Sequence, residues 1–209
     1  MRTRQLPRLM LVTDRDGTRG RDLVKVVACA ARGGVGLVQI REPDLSDDAL
    51  RELVLRIREA VPARTQLLVN SSVRVARTLR LGLHLPAVAP LLGETDLGGE
   101  PYGRSVHDEN ELRTALEDRA DYLVLGTIFP TQCKPGHPGA GVQLVQRICR
   151  QVHPLPVFAI GGVEIGRIPE LIHAGAHGVA VSSGLLSAND PTRIAQAMSL
   201  AIEVALQAS

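Results

Sequence analysis

The stretch VFAIGGVEIGRIPELIHAGAHGVAVSSG, from Val157 to Gly184, holds two short apolar runs, each closed by small residues, with helical spacing between them. Val157–Ile160 breaks at Gly161-Gly162, and Val179–Val181 breaks at Ser182-Ser183-Gly184. Apolar runs of this length are strand-sized. Glycines and serines at the carboxyl ends of successive parallel strands free backbone N–H groups and let a ligand approach the main chain. In a (β/α)8 barrel, the loops after strands seven and eight are the usual phosphate site. The two turns together therefore point to a phosphorylated small molecule. A purely structural reading, in which they are only tight strand-to-helix turns, uses the same residues.

The same alternation extends in both directions. Strands are expected at Leu9–Val12, Gly36–Ile40, Leu67–Asn70, Gly82–Leu85, Gly103–Val106, Tyr122–Gly126, Val157–Ile160 and Gly178–Val181. Several are apolar throughout, as parallel strands buried on both faces must be. Helical patterns fall between them at 20–32, 46–60, 71–80, 108–118, 141–151 and 165–174, with a last one at 190–206. Ser46-Asp47-Asp48, Asp108-Glu109 and Asn189-Asp190-Pro191 mark helix starts; Asp190 can cap, and Pro191 suits the first helical position. The connection from Pro86 to Pro101 is rich in Gly and Pro and reads as a loop. The expectation is an α/β protein, a single-domain (β/α)8 TIM barrel over residues 8–209, preceded by a flexible arm at 1–7. An open doubly wound sheet is the competitor, but Thr13-Asp14-Arg15-Asp16-Gly17 after the first strand is a polar turn, not a GxGxxG dinucleotide cradle.

Composition narrows the function. A net charge of +2, with only two Phe and two Tyr, argues against nucleic acid as a partner. No apolar run is long enough for a membrane span, so no membrane partner is expected. Cys29, Cys133 and Cys149 are odd in number and widely spaced, which fits a reducing cytoplasm rather than a disulfide framework.

Functional side chains of such barrels gather at the carboxyl ends of the strands. Read in order, these ends carry Gln39 and Arg41, Asn70, His84, Ser105 with His107, and Thr127 leading into a loop with Gln132, Cys133 and Lys134. Arg41 can grip a carboxylate or phosphate through two parallel hydrogen bonds, unless Glu42 neutralises it. Lys134, in a loop with Pro, Gly and His137, suits a lid closing on an anion. Of the histidines, His153, His173 and His177 belong to turns at the amino end and are structural. His84 stands between core packing and the site. His107 is the best-placed general acid/base, since imidazole titrates near neutrality. Clustered carboxylates are lacking, so the reading calls for no metal and no other cofactor.

The ordered motifs LVTDR, VQIRE, LLVN, LHLP, GRSVH, DYLVLGTIFPTQCK, VFAIGGV and GVAVSSG resemble the thiamine phosphate synthase/TenI family over nearly the whole chain, from Leu9 to beyond Gly184. The resemblance implies a TIM barrel, a role in thiamine metabolism, and a thiazole phosphate held by Gly161, Gly162, Ser182, Ser183 and Gly184. Barrels of this family often associate, so a homo-oligomer is possible. In the synthase branch, an Arg and a Lys after strand two hold a pyrimidine diphosphate, and two Asp residues after strands three and four hold Mg2+. Here Arg41 matches, but Pro43, Ser71 and Pro86-Ala87-Val88 stand where the Lys and the Asp residues belong.

The TenI branch, a metal-independent thiazole tautomerase, shares HLP, GRSVH and the Gln132-Cys133-Lys134 loop. Its acid/base histidine is replaced here by Thr127. The expectation drawn is a tautomerase, an isomerase aromatising a carboxythiazole phosphate. His107 would be its acid/base, Gln39, Arg41, Asn70, His84, Ser105, Thr127 and Lys134 would bind substrate, and the glycine/serine turns would hold phosphate. Two alternatives stand beside it: a synthase joining a pyrimidine diphosphate to thiazole phosphate, and a non-catalytic thiazole-phosphate-binding regulator.

Overall fold

The computed structural model describes residues 6–93, 97–132 and 135–208. Eight parallel strands close into a barrel in chain order: β1 (Leu9–Val12), β2 (Leu37–Ile40), β3 (Gln66–Asn70), β4 (Gly82–Leu85), β5 (Tyr102–Val106), β6 (Tyr122–Leu125), β7 (Val157–Ile160) and β8 (Gly178–Val181). Met10 pairs with Leu37 on one side and with Ala180 on the other, which shuts the ring. Around it lie α1 (Leu23–Arg32), α2 (Asp47–Ala60), α3 (Val73–Leu79), α4 (Glu109–Glu117), α5 (Val142–Val152), α6 (Ile168–His173), a single turn α7 (Ser183–Leu186) and α8 (Pro191–Gln207). The TIM-barrel expectation is met, with each strand within a residue of its expected bounds.

Local chemistry starts these helices, at Ser46, Asp108 and Asp190 as the sequence signals and also at Asp22 and Ser72. The side chains of Asp22, Ser46, Ser72, Asp108 and Asp190 accept hydrogen bonds from N–H groups of the first turns they precede. Each such cap satisfies a donor that the helix itself leaves unpaired, worth about 1 kcal/mol. Pro191 takes the first position of α8, where no donor is lost.

Alternation along the strands builds two shells. Leu9, Leu11, Val38, Ile40, Val69, Leu123 and Val179 point outward into the layer shared with the helices. Met10, Val12, Leu37, Leu68, Tyr122, Val124, Phe158 and Ala180 point inward and fill the barrel. Leu6 joins the inner group and is 5% exposed, and its carbonyl accepts from His177 Nε2 at 2.8 Å. The expected arm at 1–7 therefore does not extend through Leu6, which closes the floor of the barrel. Residues 1–5 lie outside the described range.

Between β4 and β5 the described residues form no helix, and a side chain does the work instead. Arg104, on the outward face of β5 and 1% exposed, pairs with Asp118 and donates to the carbonyls of Pro86, Ala87, Ala89 and Pro90. Asp118 also accepts from Tyr102 and from the Leu92 N–H (2.7 Å). Burial works to raise the Asp118 pKa, but the bonds from Tyr102 and Arg104 outweigh it, and the carboxyl stays below its ordinary value.

Gly103 faces into the barrel beside Tyr122, and a Cβ built there collides with the Tyr122 ring. We expect Gly103→Ala to destabilise the protein by about 1–3 kcal/mol or more in urea unfolding. Gly166→Ala, where a Cβ meets nothing within 4 Å, should stay within about 0.5 kcal/mol of the parent. Equal effects at the two positions would mean that Tyr122 is not wedged against β5.

Candidate active site

The inward-facing positions at the carboxyl ends of the strands bring Gln39, Asn70, His84 and Ser105 to one end of the barrel, above the aromatic fill. Neighbouring registers place Asn70 beside His84, and Gln39 beside Leu68. His84 is 1% exposed. Its Nδ1 lies 3.1 Å from the Tyr122 hydroxyl, and its Nε2 lies 2.9 Å from Ser105 Oγ. Burial, followed by the charges of Arg104 and Arg41, lowers the His84 pKa from 6.5 to about 3, so the ring is neutral. Gln39 is 3% exposed, and its Nε2 has no hydrogen-bond partner among the described residues. A buried donor left unmade costs about 1–3 kcal/mol unless a ligand accepts from it.

Arg41 follows β2 and is exposed at the rim, with no ion pair among the described residues. Glu42, the neighbour able to neutralise it, is engaged elsewhere. It accepts from Thr13 Oγ1 at 2.6 Å and from the Arg15 N–H at 3.2 Å, and pairs with Arg15 Nε at 3.3 Å. Thr13 in turn accepts from the Arg41 N–H at 2.9 Å, so this buried acid fixes the backbone that presents Arg41. Burial holds the Glu42 pKa above its ordinary value despite those bonds. The sequence signal for this clamp was an acid directly after an arginine at a strand end. Which of the two remains free was not legible.

The two glycine/serine turns lie side by side, because β7 and β8 are neighbours. Gly161 and Gly162 have φ of 100° and 62°, in the left-handed region that favours glycine. A Cβ at Gly161 would meet Thr127, so Thr127, 7% exposed, forms the wall between β6 and the β7 turn. Ser183 and Gly184 are the first residues of α7, whose N–H groups have no intrahelical acceptor. The sequence predicts only a turn here, and the structure continues it into one helical turn.

One expected residue is held apart from the group. His107 sits just past β5 and is 44% exposed in its side chain; both its N–H and its Nδ1 lie 2.7 Å from Glu111 Oε2, on the first turn of α4. The ring is thus tied to α4, and no hydrogen bond joins it to the cluster among the described residues. Lys134, with Cys133, lies outside the described residues.

The Mg2+ that the resemblance attaches to the synthase branch finds no matching donors among the described residues. Ser71 Oγ is bonded to Asn70 Nδ2 at 2.7 Å, and the carbonyls of Pro86 and Ala87 are directed at Arg104. The nearby acids are committed: Asp44 to Arg15, and Asp47 to Ser72 and Arg74. No group of three potential His, Cys, Asp or Glu ligands occurs among the described residues. Nor is any described helix long and apolar enough to cross a membrane.

The fold and this polar end define a small single-domain (β/α)8 barrel with its functional groups at the carboxyl ends of the strands. More narrowly, residues 9–185 match the family model described as thiamine monophosphate synthase, and the chain belongs to that family. A thiamine-phosphate synthase of Mycolicibacterium smegmatis is 34% identical over 94% of this chain and 92% of its own length. One of Chloroflexus aurantiacus is 33% identical over 94% and 93%. The solved thiamine phosphate pyrophosphorylase of Pyrococcus furiosus superposes with a TM-score of 0.83, at 26% identity, over 97% of this chain and 98% of that one. These findings correct the expectation of a tautomerase: the relatives carry the name of a synthase, a transferase, and not of an isomerase.

The neutral His84 makes stability depend on pH. The unfolded chain binds a proton at this imidazole near pH 6.5, and the folded chain only near pH 3. Stability is therefore full above pH 6.5 and declines as pH falls, approaching about 1.4 kcal/mol per pH unit below pH 6. Burial lowers the His177 pKa too and adds in the same direction. Urea unfolding at pH 7 and pH 5 should show the decline, and His84→Gln should reduce it; an unchanged difference would place the titration elsewhere.

Proposed function

We propose that this chain is a thiamine-phosphate synthase, acting in the cytoplasm in thiamine biosynthesis. It joins a pyrimidine delivered as its diphosphate to a thiazole phosphate. The carbon–oxygen bond to the diphosphate breaks, and the bonding pair leaves with the diphosphate. A lone pair of the thiazole ring forms the new bond to that carbon.

One observation carries this reading beyond family membership. The mouth offers a cation, Arg41, with no ion pair among the described residues, and a wall of oriented dipoles, while the imidazole of His84 inside the barrel is held neutral. Displacement of a diphosphate needs stabilisation of departing negative charge rather than a proton shuttle. Arg41 has the planar, bidentate chemistry for phosphoryl oxygens. Lys134 would add a second charge from its loop. Gly161, Gly162, Ser182, Ser183 and Gly184 would hold the thiazole phosphate, with Thr127 between the two anions. Gln39 and Asn70 offer amide groups to the pyrimidine. No step is assigned to a metal, because the described donors do not fit one.

The test is to incubate the protein with the pyrimidine diphosphate and thiazole phosphate, with Mg2+ and separately with EDTA, and to measure thiamine phosphate and released diphosphate. Equimolar formation of both is expected. Arg41→Met should lower kcat/KM by about 100-fold. No product above the protein-free rate in either condition would refute the proposal, and a fully active Arg41→Met would remove Arg41 from it.

A further inference from the structure

The geometry points to a relay in which Tyr122, acting through His84, fixes Ser105 as a hydrogen-bond donor to the substrate. Tyr122 is fully buried, and His84 is the one partner of its hydroxyl among the described residues. A phenol in that position must donate its proton, because no water reaches it and no other acceptor is near. His84 Nδ1 therefore accepts. A neutral imidazole that accepts at one nitrogen carries its proton on the other. Nε2–H then donates to Ser105 Oγ at 2.9 Å. That bond takes one lone pair of the Ser105 oxygen and leaves the hydroxyl proton with no partner among the described residues. Ser105 is half-buried on the inward face at the carboxyl end of β5, so its proton is free for a ligand there.

The opposite tautomer fails on the same accounting. If Nδ1 carried the proton, it would donate to the Tyr122 oxygen and leave the phenol O–H unmade in the core. Burial reinforces the choice by keeping the ring neutral through the working pH range. Ser105 is thus left with its proton available, whereas the opposite tautomer would draw that proton to His84. A phosphoryl oxygen or an unprotonated ring nitrogen is the kind of substrate atom that takes it. Tyr122 and His84 are positioning residues, and Ser105 is the group that touches substrate.

Two measurements test the relay, and only the second rests on the synthase reading. In protein labelled with 15N-histidine, long-range proton–nitrogen spectra should show the His84 ring protonated at Nε2 and bare at Nδ1 from pH 5 to pH 9. A proton on Nδ1 would overturn the relay whatever the protein catalyses. In the synthase assay, Ser105→Ala should lower kcat/KM about tenfold and Tyr122→Phe about threefold. Tyr122→Phe in the Ser105→Ala background should cost less than about 1.5-fold, because its effect runs through Ser105. A purely structural Tyr122 would cost the same in both backgrounds, which would also overturn the relay. If the parent shows no turnover, the synthase reading falls and the imidazole spectrum alone decides.

Discussion

Tyr122 can lie across the interior of the barrel only because Gly103, its neighbour on β5, has no side chain. Much of the molecule depends on that fit. From there the phenol reaches His84, and the ring meets the edge of Phe158 at 5.9 Å. Phe158 meets His177 at 5.2 Å, and His177 bonds to the carbonyl of Leu6 on the floor. Two of the chain's four Phe and Tyr residues thus stand in one column that runs from the mouth to the base. Buried polar groups are tolerated when each has a partner, and this column pairs its own in sequence. It ends at Ser105, half-buried at the mouth, and there the interior becomes chemistry.

Arg104 solves a different problem. Where the connection between β4 and β5 lacks a helix, something else must cover the strands. A guanidinium has five N–H donors in a fixed plane, and here they gather carbonyls from four residues of the loop together with Asp118. A buried ion pair is weak evidence for net stability, because desolvation offsets much of the attraction. Its effect lies in holding one loop conformation. That conformation directs the Pro86 and Ala87 carbonyls to Arg104 rather than to the mouth.

The barrel was legible because parallel strands buried on both faces must be continuous apolar runs, and because capping residues announce the helices. The inner face of the site was partly legible. Gln39, Asn70, His84 and Ser105 were named from strand ends, and the alternation of side chains along the strands then puts all four on the inside. The same alternation, applied to GRSVH, places Arg104 outward among apolar groups, and an arginine there demands an acid and several carbonyls. What was not legible at His107 is its partner: Glu111, on the first turn of α4, reaches back past the cap to its N–H and its ring. Leu6 was assigned to a loose arm because a lone leucine among basic residues has no period. Only the closed barrel reveals the hole that it fills.

Desolvation ties these observations to the choice of reaction. Moving a proton between two carbons needs a group whose pKa lies near the working pH. His84, the imidazole inside the barrel, has been driven to about 3 by the burial that lets it bond Tyr122 and Ser105. The cause that secures the column therefore withdraws it from acid/base service. Among the described residues, the mouth also carries fixed charge and oriented donors: Arg41 set by Thr13 and Glu42, the orphan amide of Gln39, and the glycine and serine turns of β7 and β8. Such groups cannot carry a proton back and forth, but they hold anions and stabilise charge that departs with a leaving group. A barrel furnished in this way is suited to displacing a diphosphate, which agrees with the family to which its sequence belongs.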